Sequence, residues 1–261
     1  MQLFDTHAHL YDAKLVDRLD EVLQLAAQHS VTRMIAVGCS AGSSRQCIEI
    51  ASQHAGVFAS VGVQPNYCHE ALEGDWEAIV EMCEDPNVVA LGESGLDLYW
   101  KDCPFELQQD YFGRHWKLSL QTGLPVIIHT RECEAEMVRD LSLHATESGG
   151  QLHGVMHSFC GDWATAKACL DLGLYISFAG MVTYKNAQSI RDVAAQIPID
   201  RLLIETDSPY LSPEPKRSHR PNEPALVLHT AECLARVREC SLIDIAEATT
   251  ANALRLFQRA Q

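Results

Sequence analysis

Basic residues are scarce in this chain: 20 Lys and Arg stand against 35 Asp and Glu, a formal net charge of −15. Such a chain repels polyanions at long range, which argues against a general nucleic-acid-coating protein. It leaves room for an enzyme that handles nucleic acid through a local positive rim. Long apolar runs are also missing; none approaches the ~20 residues of a membrane span. The opening Met1-Gln2-Leu3-Phe4-Asp5 has neither a basic n-region nor an apolar h-region, so no signal peptide is expected and the expected location is cytoplasmic. Ten cysteines are present, but no two of them form Cys-x-x-Cys. That disfavours zinc ribbons and dithiol redox motifs and points to reduced, mostly buried thiols. Cys133 and Cys160 fall just beyond His129 and His157 and are expected to border whatever those histidines form. Linkers, low-complexity tracts and internal repeats are absent too. The 261 residues are read as one domain, residues 1–261, a length that suits a single α/β barrel of roughly 250 residues.

What is present is an alternation. Short apolar runs at 3–9, 32–38, 57–63, 88–93, 125–130, 154–158, 174–179 and 202–207 read as strands. Amphipathic patterns near 13–29, 42–55, 74–84, 104–122, 134–147, 161–172 and 187–196 separate them, and two more follow near 223–238 and 241–258. Strand and helix repeated eight times predict an α/β fold, a (β/α)8 TIM barrel with an additional C-terminal helix. A doubly wound open sheet is disfavoured because no Gly-x-Gly-x-x-Gly follows the first strand.

The polar residues of these runs fall at or near their carboxyl ends, the face on which barrel enzymes build their sites. His7 and His9 lie one residue apart on a strand and so point to one side. Glu93, His129, His157 and Asp207 close later strands. One histidine on an apolar strand is more often a hydrogen-bonded core residue than a ligand. Six such donors mapped to a single face instead describe a metal site. The mixed imidazole and carboxylate set suits zinc, manganese, iron or nickel, with magnesium less at ease because it prefers oxygen. Six ligands exceed the usual three or four of one catalytic zinc, and two ions sharing Glu93 account for the surplus.

The motifs Phe4-Asp5-Thr6-His7-Ala8-His9-Leu10, Gly92-Glu93-Ser94-Gly95-Leu96-Asp97, Ile128-His129-Thr130-Arg131-Glu132, His157-Ser158-Phe159, Val182-Thr183-Tyr184-Lys185-Asn186-Ala187, Glu205-Thr206-Asp207-Ser208-Pro209-Tyr210-Leu211 and Arg220-Pro221-Asn222-Glu223-Pro224 resemble those of TatD-type deoxyribonucleases, amidohydrolase-like metal-dependent hydrolases. The ending Asn252-Ala253-Leu254-Arg255-Leu256-Phe257 fits as well. The resemblance implies two divalent ions (magnesium, manganese or zinc). His7, His9 and Asp207 would hold one, His129 and His157 the other, and Glu93 both. It implies hydrolysis of DNA phosphodiesters, often at 3′ ends, with Asp207 and Glu93 as the catalytic carboxylates and Asp207 orienting or deprotonating the attacking water. The chain departs from the family at Gly62-Val63-Gln64-Pro65-Asn66, where a Gly-x-His-Pro-His-like element is usual. Gln64 and Asn66 could donate hydrogen bonds to phosphate oxygens but carry no positive charge.

Other polar residues keep two readings. Glu205 is an orienting partner, part of an additional ion site, or a structural carboxylate; Asp5 is a deeper orienting group. Arg131 pairs with a substrate phosphate or with a loop acid. Lys216, Arg217, His219 and Arg220, the densest basic cluster, form either a solvated run or a phosphate-binding rim. Tyr99 and Trp100 stack on a base or pack among aromatics. For function, the alternatives to a phosphodiesterase are an amidohydrolase acting on an amide, ester or lactone, and a non-catalytic metal-binding protein. A Glu rather than a lysine on strand 4 favours the first reading over the carbonyl hydrolases.

Overall fold

Runs of Val, Ile, Leu and Ala too short for a stable helix pair as strands because their branched side chains fit a pleated surface buried on both faces. In the computed structural model, which describes residues 1–260, these are β1 (Leu3–Ala8), β2 (Val31–Val37), β3 (Val57–Val61), β4 (Val88–Asp97), β5 (Val126–Arg131), β6 (Gly154–Met156), β7 (Tyr175–Phe178) and β8 (Leu202–Ile204). All seven neighbouring pairs are parallel and in chain order. A parallel bridge between Ala8 and Ser208 brings the two ends of the sheet together, with Asp207 N–H donating to His7 O at 2.9 Å and His9 N–H to Ser208 O at 2.7 Å. The fold is a (β/α)8 TIM barrel.

The helices are α1 (Ala13–Val16), α2 (Leu19–Gln28), α3 (Ala41–Gln53), α4 (Asp75–Met82), α5 (Phe105–Thr122), α6 (Glu134–Glu147), α7 (Trp163–Asp171), α8 (Gln188–Gln196), α9 (Val227–Val237) and α10 (Leu242–Leu256). Ser40 and Ser241 open α3 and α10 with reciprocal capping boxes, satisfying N–H groups that the first helical turn leaves unpaired. The helical pattern expected over 13–29 is broken into α1 and α2, and 3-10 turns at Pro65–Glu70 and Gly180–Thr183 have no counterpart in the periodicity.

Two packed layers result. Leu3, Met34, Ala36, Val126, Met156, Ile176 and Leu202 belong to a large apolar core that also takes in residues of the surrounding helices, such as Leu15, Val22, Phe112, Met137 and Val193. Phe4, Ile35, Val37, Val89, Ile127, Val155 and Leu203 form a second cluster, closed by Leu256 and Phe257 from the end of the chain. Ile127, Val155 and Leu203 stand two residues before His129, His157 and Glu205, so the polar donors continue the same side of the sheet toward its carboxyl end. The register of β1 shifts between Asp5 and Ala8, and that of β4 between Leu91 and Ser94. Such irregularities re-aim side chains beside active sites, and both fall on the donors.

Candidate metal centre

The six candidate ligands meet. His7 Nε2 lies 3.3 Å from His9 Nε2, 3.4 Å from Glu93 Oε2 and 3.6 Å from Asp207 Oδ1. His9 Nε2 lies 3.4 Å from Asp207 Oδ1 and 3.8 Å from Glu93 Oε2. Across the carboxylate, Glu93 Oε1 is 2.7 Å from His129 Nδ1 and 3.1 Å from His157 Nε2, and these two nitrogens are 3.4 Å apart. Glu93 therefore turns one oxygen to each histidine pair. β4 can deliver it because two glycines flank it. A Cβ on Gly95 (φ +149°) would stand 2.0 Å from His129 O, and one on Gly92 (φ +118°) 2.6 Å from Ile127 O. Only glycine lets β4 lie this close to β5. Asp207 adopts φ +55°, a left-handed conformation that Asp tolerates better than most residues, and its side chain is 14% exposed.

The outer nitrogens of three rings are already committed. His9 Nδ1 is 3.1 Å from Val37 O, His129 Nε2 is 2.9 Å from Asp97 Oδ2, and His157 Nδ1 is 3.3 Å from Glu205 Oε1. With those nitrogens as donors, the inner nitrogens point at one another and at carboxylate oxygens. Lone pairs converging at such distances repel unless a proton or a cation lies among them. This is how metal-ligating histidines are oriented. Donors around a tetrahedral zinc at ~2.0–2.1 Å would be about 3.3–3.4 Å apart, close to the 3.3, 3.4 and 3.6 Å of the His7, His9 and Asp207 set. The residues present fit divalent ions.

The charges agree. Burial alone would raise the pKa of Glu93, but the charge of His157 and hydrogen bonds from His129, His157 and His7 hold it well below the ordinary carboxylate value. Burial likewise works against ionised Asp207, and its hydrogen bond to His9 and the charge of His7 outweigh it, so its pKa is lowered. Burial disfavours the charged form of His157, yet Glu93 and Glu205 raise its pKa well above the usual imidazole value. In His7, burial and the neighbouring His157 prevail and the pKa falls.

Glu205 stands where an orienting partner would, its Oε1 accepting from Ser158 N–H at 2.6 Å besides facing His157, and with His7 and His157 it also forms a group that could hold an ion. Asp5 braces backbone rather than a ring. It accepts from Thr206 N–H at 2.8 Å, Thr206 Oγ1 at 2.5 Å and His7 N–H at 3.3 Å, joining β1 to the segment after β8. Gln64 caps the 3-10 turn that follows β3, its Oε1 accepting from Asn66 N–H at 2.8 Å, and Asn66 Nδ2 donates to Asp97 Oδ2 at 3.1 Å. Arg131 is exposed, its guanidinium carbon 3.7 Å from the Tyr99 ring centre. Lys216, Arg217 and Arg220 are exposed, with Arg217 3.3 Å over the Tyr184 ring. His219 reaches Glu223 at 3.4 Å, and Glu223 also pairs with Arg18. All ten cysteines are free. Cys133 is buried, donating to Leu96 O, whereas Cys160 is exposed.

Two residues at the centre carry no role in the sequence reading. Asp97 anchors His129, and its place on the Glu93, Gly95, Asp97 side of an extended β4 was the available signal. Cys39 lies with Sγ 3.7 Å from His9 Nδ1 and 3.8 Å from Glu93 Oε2, two residues beyond β2.

A parallel eight-stranded barrel with an imidazole and carboxylate cluster at the carboxyl ends of its strands defines a class, the barrel-fold metal-dependent hydrolases. Residues 4–258 match the model of the TatD related DNase family, and the chain belongs to that family. It is 38% identical over 256 residues to the metal-dependent hydrolase YabD of Bacillus subtilis, covering 98% of this chain and 99% of that protein. It is 31% identical over 259 residues to the 3′-5′ ssDNA/RNA exonuclease TatD of Citrobacter rodentium, covering 98% and 97%. Among solved structures, the TatD homologue YjjV of Escherichia coli K12 superposes with a TM-score of 0.91 at 29% identity, covering 98% of each chain. No helix among the described residues is long and apolar enough to cross a membrane.

Proposed function

We propose that this metal-dependent hydrolase is a phosphodiesterase that shortens DNA from its 3′ end, built as one barrel domain and served by two divalent ions. His7, His9 and Asp207 would hold one ion, His129 and His157 the other, and Glu93 both. The observation that carries this reading is the division of Glu93, with one oxygen facing His129 and His157 and the other facing His7 and His9. When bound, two such ions supply an activated water and neutralise charge on both oxygens of a displacement at phosphorus. The carboxylate of Asp207, kept ionised by its histidine neighbours, orients that water and accepts its proton. Asp97 and Glu205 hold the rings of His129 and His157 in the ligating orientation. Arg131, Lys216, Arg217 and Arg220 supply the local positive charge that an acidic chain needs at its rim to receive a phosphodiester backbone. Gln64 and Asn66 complete the wall on the β3 side. The name of the Citrobacter rodentium relative supports nucleic acid as the substrate class.

The test is turnover on end-labelled single-stranded DNA beside RNA and a panel of amides, esters and lactones, each with magnesium, manganese or zinc added to stripped protein. The expected result is metal-dependent loss of 3′ nucleotides from DNA. Turnover confined to a carbonyl substrate would replace this reading with the amidohydrolase one.

A further inference from the structure

Exposed aromatic side chains are distributed on one side of the molecule only. Among the described residues they are Tyr67, Tyr99, Trp100 and Tyr210, and every one follows the carboxyl end of β3, β4 or β8. The other large exposed apolar residues are aliphatic or Met. Neighbouring aromatic faces left in water beside a candidate metal centre offer a surface for a ligand to cover. The pair beside β4 is the most constrained. Tyr99 is 44% exposed and Trp100 50%, their ring centres 4.9 Å apart and nearly perpendicular. Arg131 lies 3.7 Å from the first ring and 5.8 Å from the second.

This ledge is tied to the metal centre through one carboxylate. Asp97 Oδ1 accepts from the backbone N–H of Tyr99 at 2.9 Å and of Trp100 at 3.0 Å, while Oδ2 meets His129 Nε2 at 2.9 Å. Leu98 N–H donates to Arg131 O at 3.0 Å, so the cation and the rings share the end of the β4–β5 ladder. A group seated on the ledge is thereby held at a set distance from His129. Flat π-faces with a guanidinium among them match a nucleobase joined to a phosphodiester: every base offers a face to stack, and the cation meets the adjoining phosphate. A duplex end keeps its bases stacked on one another, whereas an unpaired end frees them.

We propose that Tyr99, Trp100 and Arg131 form a stacking subsite for the base of the terminal nucleotide of an unpaired strand, making base contact a determinant of turnover. The proposal rests on the nuclease reading above. Its test compares two otherwise identical end-labelled single strands, one ending in thymidine and one in an abasic tetrahydrofuran nucleotide, with wild type, Trp100→Ala, Tyr99→Ala and Trp100→Phe. Wild type should favour the base-bearing strand. Either alanine variant should lower kcat/KM on that strand by roughly 10-fold, the scale of one base–aromatic stack, and change it little on the abasic strand, whereas Trp100→Phe should retain the preference. Equal losses on the two strands, or no loss on either, would overturn the subsite while leaving the nuclease reading standing. Absence of cleavage of either strand by wild type would overturn both.

Discussion

Glu93 is a buried carboxylate of the centre and Asp207 a partly exposed one, and their chemistry differs. Asp207 faces one histidine pair, so its exchange for an amide leaves the shape and removes the proposed proton acceptor. Asp207→Asn is expected to lower kcat far more than it alters KM, by at least ~100-fold, the scale of a general base; steady-state kinetics with saturating metal checks this. A rise in KM alone would make Asp207 a binding residue. Glu93 faces both pairs, and an amide there has one oxygen instead of two and no charge. Glu93→Gln is expected to bring metal content below two ions per chain and activity down by at least ~100-fold, read by elemental analysis beside the rate. Full activity with two bound ions would contradict the bridge.

At the scale of elements, His115 on α5 couples the helix layer to the site strands. Its Nδ1 lies 2.7 Å from Tyr111 O and 3.0 Å from Ser94 Oγ, and its Nε2 accepts from Val63 N–H at 3.2 Å. A proton on Nε2 would be set against that N–H. Burial accordingly pushes the pKa of His115 down to about 4. The unfolded chain takes up this proton near pH 6.5 and the folded one refuses it until about 4. The contribution is thus fully present above pH 6.5 and is lost as pH falls toward 4, on the order of 3 kcal/mol at ~1.4 kcal/mol per pH unit. Urea unfolding at stepped pH should show this decline in the wild type and a flatter acid limb in His115→Gln; identical slopes would contradict it. Elements also show what a sequence makes legible. The candidate ligands were readable because strand ends repeat a simple pattern, an apolar run closed by a His, Glu or Asp. The continuation of β4 to Asp97 was not, because it depends on Gly95 admitting the backbone of β5, a tertiary fact. Nor was the 3-10 turn at Pro65–Glu70, whose geometry leaves no 3.6-residue period. His157 and Asp207 read as strand residues but sit just beyond β6 and β8, although their N–H groups still donate across to Ile128 O at 3.1 Å and His7 O at 2.9 Å.

The whole molecule carries a charge of −15, which opposes approach of a polyanion; on the proposed reading, recognition falls to a few cations in the loop after β8. Lys216, Arg217 and Arg220 lie exposed in one loop after β8, pinned at its far end by Glu223, which holds Arg18 and His219. Neutralising the three should weaken cleavage of long single strands and flatten its dependence on salt, because fewer counterions are released on binding. Hydrolysis of a small phosphodiester should change little. Equal losses on both would point to a damaged centre instead. The position of this loop on the active face follows from the order of elements alone, whereas the stacking of Arg217 on Tyr184 required the fold to bring β7 and β8 together. The central claim concerns the pair of ions divided by Glu93. Its most direct test is a titration of manganese into stripped protein, with bound metal and cleavage of an end-labelled single strand followed in the same samples. Activity should rise with the second equivalent bound; full activity at one equivalent, or two bound equivalents with no cleavage, would contradict the account.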